Sequence, residues 1–223
     1  MLDLKNVSKT FHPGTVNART ALDDLSLHLN EGDFVTVIGG NGAGKSTLLN
    51  AIAGTFAVDC GSISIGGQDV TRLPEYKRAA LIGRVFQDPM LGTAATMQIE
   101  ENLALAARRG QTRGLKWGIT KAEREKYRAL LQPLDLGLED RLTAKVLSLS
   151  DQIVAENHLT TLMITHNMKD AIRHGNRLLM MSAGKVVLDI SGEEKRKLTV
   201  EDLLHRFSLA SDGEMLSDRA ILS

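Results

Sequence analysis

Cysteine is almost missing from this chain. Cys60 is the only one in 223 residues, which excludes an internal disulfide and a cysteine-built metal cluster. A surplus of charge of either sign is missing too. Lysine and arginine number 27, aspartate and glutamate number 27, and the net charge is zero. That balance excludes a disordered polyelectrolyte. It also argues against a nucleic-acid binder, whose non-specific affinity would need an excess of basic side chains. No apolar run approaches the roughly eighteen residues that span a bilayer. The longest candidates, Phe34–Ile38 and Leu178–Met181, are strand-sized. The opening Met1-Leu2-Asp3-Leu4 lacks the basic-then-apolar pattern of a signal peptide. There is no internal repeat and no low-complexity tract. What is present, 43% apolar and 24% charged residues, is an ordinary globular composition. The length suits one domain or a core with a small inserted subdomain, and a cytosolic location is the default.

Hydrophobic patterning divides the chain. Leu2–Lys9 and Ala21–Leu29 alternate loosely and read as strands, with a loop from Phe11 to Arg19 around Pro13 and Gly14. Phe34–Ile38 is a short run that is apolar but for Thr36, the pattern of a strand buried on both faces. Ser46–Ala53 reads as a helix closed by Gly54. Strands are expected at Ser62–Ile65 and Ile82–Phe86, and a short helix from Pro74 to Ala80. Met97–Arg109 reads as a helix, and Thr120-Lys121-Ala122-Glu123 is a capping box that opens another, to about Leu131. Further on, Ala144–Asn157 is expected as helix, Thr161–Thr165 as strand, and Met168–Arg173 as a helix ended by Gly175. Arg177–Met181 and Lys185–Ile190 read as a hairpin around Ser182-Ala183-Gly184, and Thr199 caps a last helix to about Phe207.

Gly39-Gly40-Asn41-Gly42-Ala43-Gly44-Lys45-Ser46 fits G-x-x-x-x-G-K-[ST], between an apolar strand and a helix. Glycines let the backbone wrap so that successive N–H groups face phosphate oxygens. The helix N-terminus adds partial positive charge. Lys45 would reach the β- and γ-phosphates of ATP, and the Ser46 hydroxyl would ligate Mg²⁺. A dinucleotide fingerprint fits worse. From Gly40 or Gly42, the third glycine of G-x-G-x-x-G is replaced by Lys45 or Thr47.

The wording around the loop is similar to that of ATP-binding-cassette (ABC) ATPases. Gly40-Asn41-Gly42-Ala43-Gly44-Lys45-Ser46-Thr47 resembles their phosphate loop. Val85-Phe86-Gln87-Asp88-Pro89 resembles their Q-loop, and Ile164-Thr165-His166-Asn167-Met168 their switch-histidine loop. The resemblance covers nearly the whole chain. It implies a single ABC-type ATP-binding domain over 1–223. The fold implied is α/β: a P-loop NTPase core with a mainly parallel sheet, an N-terminal antiparallel β subdomain and a helical insert over about 88–142. It implies that Phe11 stacks on adenine, that Gln87 reaches Mg²⁺ and the attacking water, and that His166 contacts the γ-phosphate. It also implies a membrane permease as partner and a second ATP-binding subunit as dimer mate. A periplasmic or lipoprotein solute-binding protein would act indirectly, and no nucleic acid would be involved. The location implied is cytoplasmic, peripheral at the inner face of the cell membrane. Met168-Lys169-Asp170-Ala171 and Leu188-Asp189-Ile190-Ser191-Gly192-Glu193-Glu194 resemble bacterial importer subunits, of the amino-acid or tryptophan-type group.

Three family parts are missing. Leu147-Ser148-Leu149-Ser150 lacks the glycine pair of an LSGGQ-type signature. No run of four apolar residues ends in Asp-Glu, as the central Walker B strand does, and no D-loop follows. Glu139-Asp140-Arg141-Leu142 resembles text that precedes the signature, and Thr143-Ala144-Lys145-Val146-Leu147 text that follows the D-loop. The junction of an internal deletion is therefore expected near 142–143. Loss of the Walker B glutamate removes the water's base, and a positioned base typically contributes about 10²–10⁴ in rate. Loss of the signature prevents a homodimer from completing its composite sites. The Q-loop strand would have to re-pair with the histidine-loop strand or leave a gap. Three readings stand: a transporter ATPase subunit, a non-hydrolysing nucleotide-binding module beside an intact partner, and a non-functional deletion product.

Overall fold

A computed structural model of the chain describes residues 1–86, 89–111, 118–132 and 151–210. The chain divides into two units, one of Met1–Leu73 with Thr143–Ser223 and one of Pro74–Leu142.

The first unit holds two sheets. Strands β1 (Leu2–Phe11), β2 (Arg19–Leu29), β4 (Cys60–Ile65) and β5 (Gln68–Asp69) form an antiparallel sheet in the order β2-β1-β4-β5. Strands β3 (Phe34–Ile38), β6 (Thr161–Ile164), β7 (Arg177–Ser182) and β8 (Lys185–Ser191) form the second, in the order β6-β3-β7-β8. Its first three strands are parallel, and β8 returns antiparallel. The expected division into an antiparallel subdomain and a mainly parallel core is thus what forms. The expected loop from Phe11 to Arg19 is shorter than the sequence suggests, because both of its end residues join strands and pair with each other.

The buried run Phe34–Ile38 shows why a core parallel strand is apolar on both faces. Val35 and Val37, with Leu179 and Met181 of β7, pack into one cluster with β1, β2, β4 and helix α1 (Lys45–Ala53). Ile38, Leu178 and Met180 pack into a second, with α5 (Met168–Arg173) and α7 (Val200–Ala210). The one polar residue in the run, Thr36, is fully buried and donates its hydroxyl to Ala171 O at 2.8 Å.

A short helix, α6 (Gly192–Arg196), precedes α7 and was not apparent from the sequence. Its Lys195 is 2% exposed and donates through Nζ to the carbonyls of His174 and Gly175, the latter at 2.9 Å. These carbonyls lie just past the end of α5, where a cation satisfies exposed backbone oxygens. Residues 151–156 are helical, and Asp151 holds His174 Nδ1 at 2.6 Å.

The second unit carries α2 (Glu75–Arg78), a 3₁₀ turn at Pro89–Gly92, α3 (Ile99–Ala107) and α4 (Lys121–Leu131). The Thr120–Glu123 capping box forms, with Glu123 N donating to Thr120 Oγ1 and Thr120 N donating to the Glu123 carboxylate. Arg108–Glu123 and Arg124–Glu100 ion pairs tie α3 to α4. The strand expected at Ile82–Phe86 does not form. Apolar content alone does not make a strand, because the backbone needs a ladder partner. Val85 is almost wholly exposed, and the Phe86 ring lies under the Arg84 guanidinium at 4.5 Å. Gln87, the junction at 142–143 and the first part of the helix expected at 144–157 lie outside the described residues.

Candidate nucleotide site

The phosphate loop leaves β3 at its carboxyl end and enters α1. Gly39 has φ 146°, and a Cβ there would sit 2.2 Å from Met181 O. Gly44 has φ 101°, and its Cβ would sit 2.5 Å from Ala21 O. These two glycines are therefore required by the backbones of β7 and β2, apart from any demand a phosphate makes. The β7–β8 turn braces the loop from the same side: Gly184 N donates to Ala43 O at 3.0 Å, and Asp23 N to Gly184 O at 3.1 Å. Ala43 N closes a turn onto Gly40 O at 3.2 Å.

Lys45 is 6% exposed and folds back over its own loop. Its Nζ donates to Gly39 O at 2.6 Å and Gly40 O at 2.8 Å. Burial lowers its pKa from the ordinary lysine value, the direction that desolvation imposes on a cation. A polyphosphate in the loop would supply the counter-charge that the two carbonyls replace only in part. Asn41 and Gly42 are exposed along the loop, Gly40 is half-buried, and Thr47 is half-buried in the first turn of α1.

Ser46 is exposed at the start of α1, and nothing among the described residues bonds its hydroxyl. That hydroxyl fits a Mg²⁺ ligand. No cluster of three histidine, cysteine or carboxylate side chains suited to a metal ion occurs among the described residues. Mg²⁺ at this site would thus rely on Ser46, phosphate oxygens and water, a donor set this ion accepts.

His166 reaches the same end of the sheet. β6 runs parallel beside β3 with Val37 opposite Ile164, so Gly39 and His166 each lie two residues beyond a paired position. Thr165 N continues the ladder onto Val37 O at 3.3 Å. Asn167 then caps α5, accepting from Lys169 N and Asp170 N. His166 is left exposed in the bend between strand and helix, with no hydrogen bond to the described residues. The crevice at the carboxyl ends of parallel strands is where open α/β sheets place their ligands.

Phe11 ends β1 half-buried, edge-on to Phe56 with ring centroids 5.3 Å apart. Lys9 Nζ lies 5.7 Å from its centroid. Directly across the β1–β2 pair from Phe11 stands Arg19, whose Nη2 donates to Gly42 O at 3.2 Å. Sequence reasoning missed this contact because it placed Arg19 at the end of a loop. The alternation of β2, extended two residues backward, was the signal available.

Among the described residues no helix is long and apolar enough to cross a membrane. Residues 22–188 match the ABC transporter family. The tyrosine transport ATP-binding protein of Clostridioides difficile is 36% identical, over 94% of this chain and 100% of its own length. In that alignment 94% of 223 residues is about 210, so about 41 of the 251 aligned positions face no residue of this chain. A spermidine/putrescine import ATP-binding protein of Mesorhizobium japonicum is 29% identical over 83% of this chain, which spans 59% of that relative's length. Among solved structures, a dimeric ATP-binding cassette in a post-hydrolysis state with ADP and Pi aligns with a TM-score of 0.72 and 22% identity. The match covers 86% of this chain and 98% of that one, and carries the fold alone. With the phosphate loop in place at the carboxyl edge of a cassette-type sheet, and a family match over most of its length, this chain belongs to the ABC transporter family as an ATP-binding subunit.

Proposed function

We propose that this chain binds Mg–ATP at Gly39–Thr47 as the nucleotide-binding subunit of an importer, and that its own ATP turnover is weak or absent. The observation that carries the binding half is the braced phosphate loop, with a desolvated Lys45 and an exposed Ser46 at the start of α1. The site reads as Lys45 on the β- and γ-phosphates, Ser46 on Mg²⁺, Phe11 at the adenine, and His166 near the γ-phosphate.

The hydrolytic half rests on what the sequence omits. Between Gln87 and His166 no apolar run ends in Asp-Glu, and no glycine pair marks a signature. About 41 positions of the alignment with the Clostridioides difficile relative face no residue of this chain, which supports lost length; the junction near 142–143 is read from the sequence alone. Mg²⁺ then keeps Ser46 and phosphate, while the attacking water lacks a carboxylate base. The partners are a membrane permease and a second, intact ATP-binding subunit that supplies the signature this chain lacks. A solute-binding protein acts further upstream. The location is the inner face of the cell membrane. An amino-acid solute is favoured by likeness to the tyrosine transport protein.

The test is a pair of measurements on the purified chain. Mg–ATP at 100 times its dissociation constant should raise the unfolding midpoint by about 5–11 °C. Steady-state turnover should fall at least about 10²-fold below that of an intact relative. Turnover equal to the relative's overturns the hydrolytic half. A broad transition unmoved by Mg–ATP overturns the whole reading and leaves the deletion product.

A further inference from the structure

We infer that Arg19 is a second cation for the nucleotide's phosphate chain, supplied by strand β2 and acting beside Lys45; this rests on the proposed nucleotide site.

Three observations lead there. Arg19 lies against the phosphate loop. Its Nη2 donates to Gly42 O at 3.2 Å, and a Cβ built on Gly42 would meet that nitrogen at 2.0 Å. Arg19 also lies opposite Phe11 in the β1–β2 ladder, so one backbone pair carries both this cation and the aromatic residue that the proposed site assigns to adenine. The Thr10–Thr20 hydroxyl contact at 3.0 Å fixes the register one step further along. Finally, Arg19 is exposed and has no carboxylate partner among the described residues, unlike its basic neighbours. Lys9 pairs with Asp59 at 2.7 Å, and Lys185 pairs with Asp23 at 2.9 Å.

A guanidinium has five N–H donors in a planar fork. Here one is committed to a neutral carbonyl, and the others face solvent or the loop. Phosphate oxygens match that fork and carry full charge, so they displace a carbonyl readily. The Gly42 contact then parks Arg19 at the loop until a polyphosphate arrives. It lowers the conformational cost of binding, since the long side chain is already gathered at the site.

The experiment compares wild type with Arg19→Ala and Arg19→Lys, using calorimetric titration with Mg–ATP, Mg–ADP and adenosine. Arg19→Ala should weaken Mg–ATP and Mg–ADP about tenfold, the size of one charge-assisted hydrogen bond. Adenosine binding should be unchanged, and Arg19→Lys should recover part of the loss. The wild-type affinity for Mg–ATP should also fall more steeply with salt than that of Arg19→Ala. Equal affinities for Mg–ATP in wild type and Arg19→Ala overturn the inference while leaving the nucleotide site standing. An equal loss for adenosine also overturns it, because Arg19 then serves the base or the fold. Absence of Mg–ATP binding by wild type overturns the site reading and the inference with it. Arg19 is exposed, so both variants should keep the wild-type unfolding midpoint. If Arg19→Ala fails to fold, Arg19→Lys carries the comparison, with full wild-type affinity counting against a planar phosphate fork.

Discussion

β3 and β6 are adjacent parallel strands that deliver two loops to one crevice, yet they are supported differently. β3 lies between β6 and β7, and all five of its residues are buried. β6 pairs only with β3 among the described residues, and all four of its residues are half-buried. The phosphate loop that follows β3 is held by backbone contacts from β7, β2 and the β7–β8 turn. The histidine loop that follows β6 has one ladder bond to Val37 and the Asn167 cap. The proposed nucleotide capture thus stands on the over-determined strand. His166, the proposed γ-phosphate contact, stands on the strand with a single described partner.

The sharpest way to break this contrast is to attack the phosphate loop's bracing. Gly39→Ala places a Cβ 2.2 Å from Met181 O at a φ of 146°. It should cost at least about 3 kcal/mol of stability, read by urea unfolding. A cost near zero would mean that β7 does not brace the loop as closely as described. Next comes a matched pair of leucines. Leu179→Ala, at a fully buried position of β7, should cost about 2–5 kcal/mol. Leu162→Ala, in β6, should cost about 1–2 kcal/mol, since less of it leaves water on folding. Equal costs would show that β6 is buried as deeply as its neighbours.

The smallest effect concerns the far end of α5, the helix that continues the histidine loop. Burial lowers the Lys195 pKa from 10.5 to about 8 in the folded protein. The unfolded chain therefore binds more protons than the folded one between those values, and this group adds stability as pH rises through that window. Below about 8 the charged amine is a standing cost to the fold. Lys195→Met should remove the rise, seen as a flatter dependence of the unfolding midpoint between about pH 8 and about pH 10. An unchanged slope would mean that the wild-type amine is solvated.

Much of this architecture was legible in residues alone. Phe34–Ile38 appears with the bounds its apolar run gives, because a strand covered on both faces is apolar throughout except for Thr36, whose hydroxyl is hydrogen-bonded. Met168–Arg173 likewise ends where Gly175 requires, with φ 71° and a Cβ position 2.2 Å from Phe34 O. The Thr120 box worked because its bonds are local. Ile82–Phe86 failed because a strand is a relation between segments, and no pattern within five residues reports whether a partner exists. The helix at Gly192–Arg196 was missed because it is short and charged, and the buried Lys195 that packs it finds its carbonyls twenty residues away.

The sequence by itself determined the phosphate loop, its strand and its helix, since their chemistry is local and their spacing is fixed by backbone geometry. It determined the absence of a signature and of an Asp-Glu strand in the same way. Only the tertiary structure decided that Gly39 and Gly44 answer to neighbouring strands, that β6 has one described partner, and that Arg19 lies on Gly42. Each of those depends on a contact between residues more than twenty positions apart in the chain or on the register of two strands, and no local pattern encodes either.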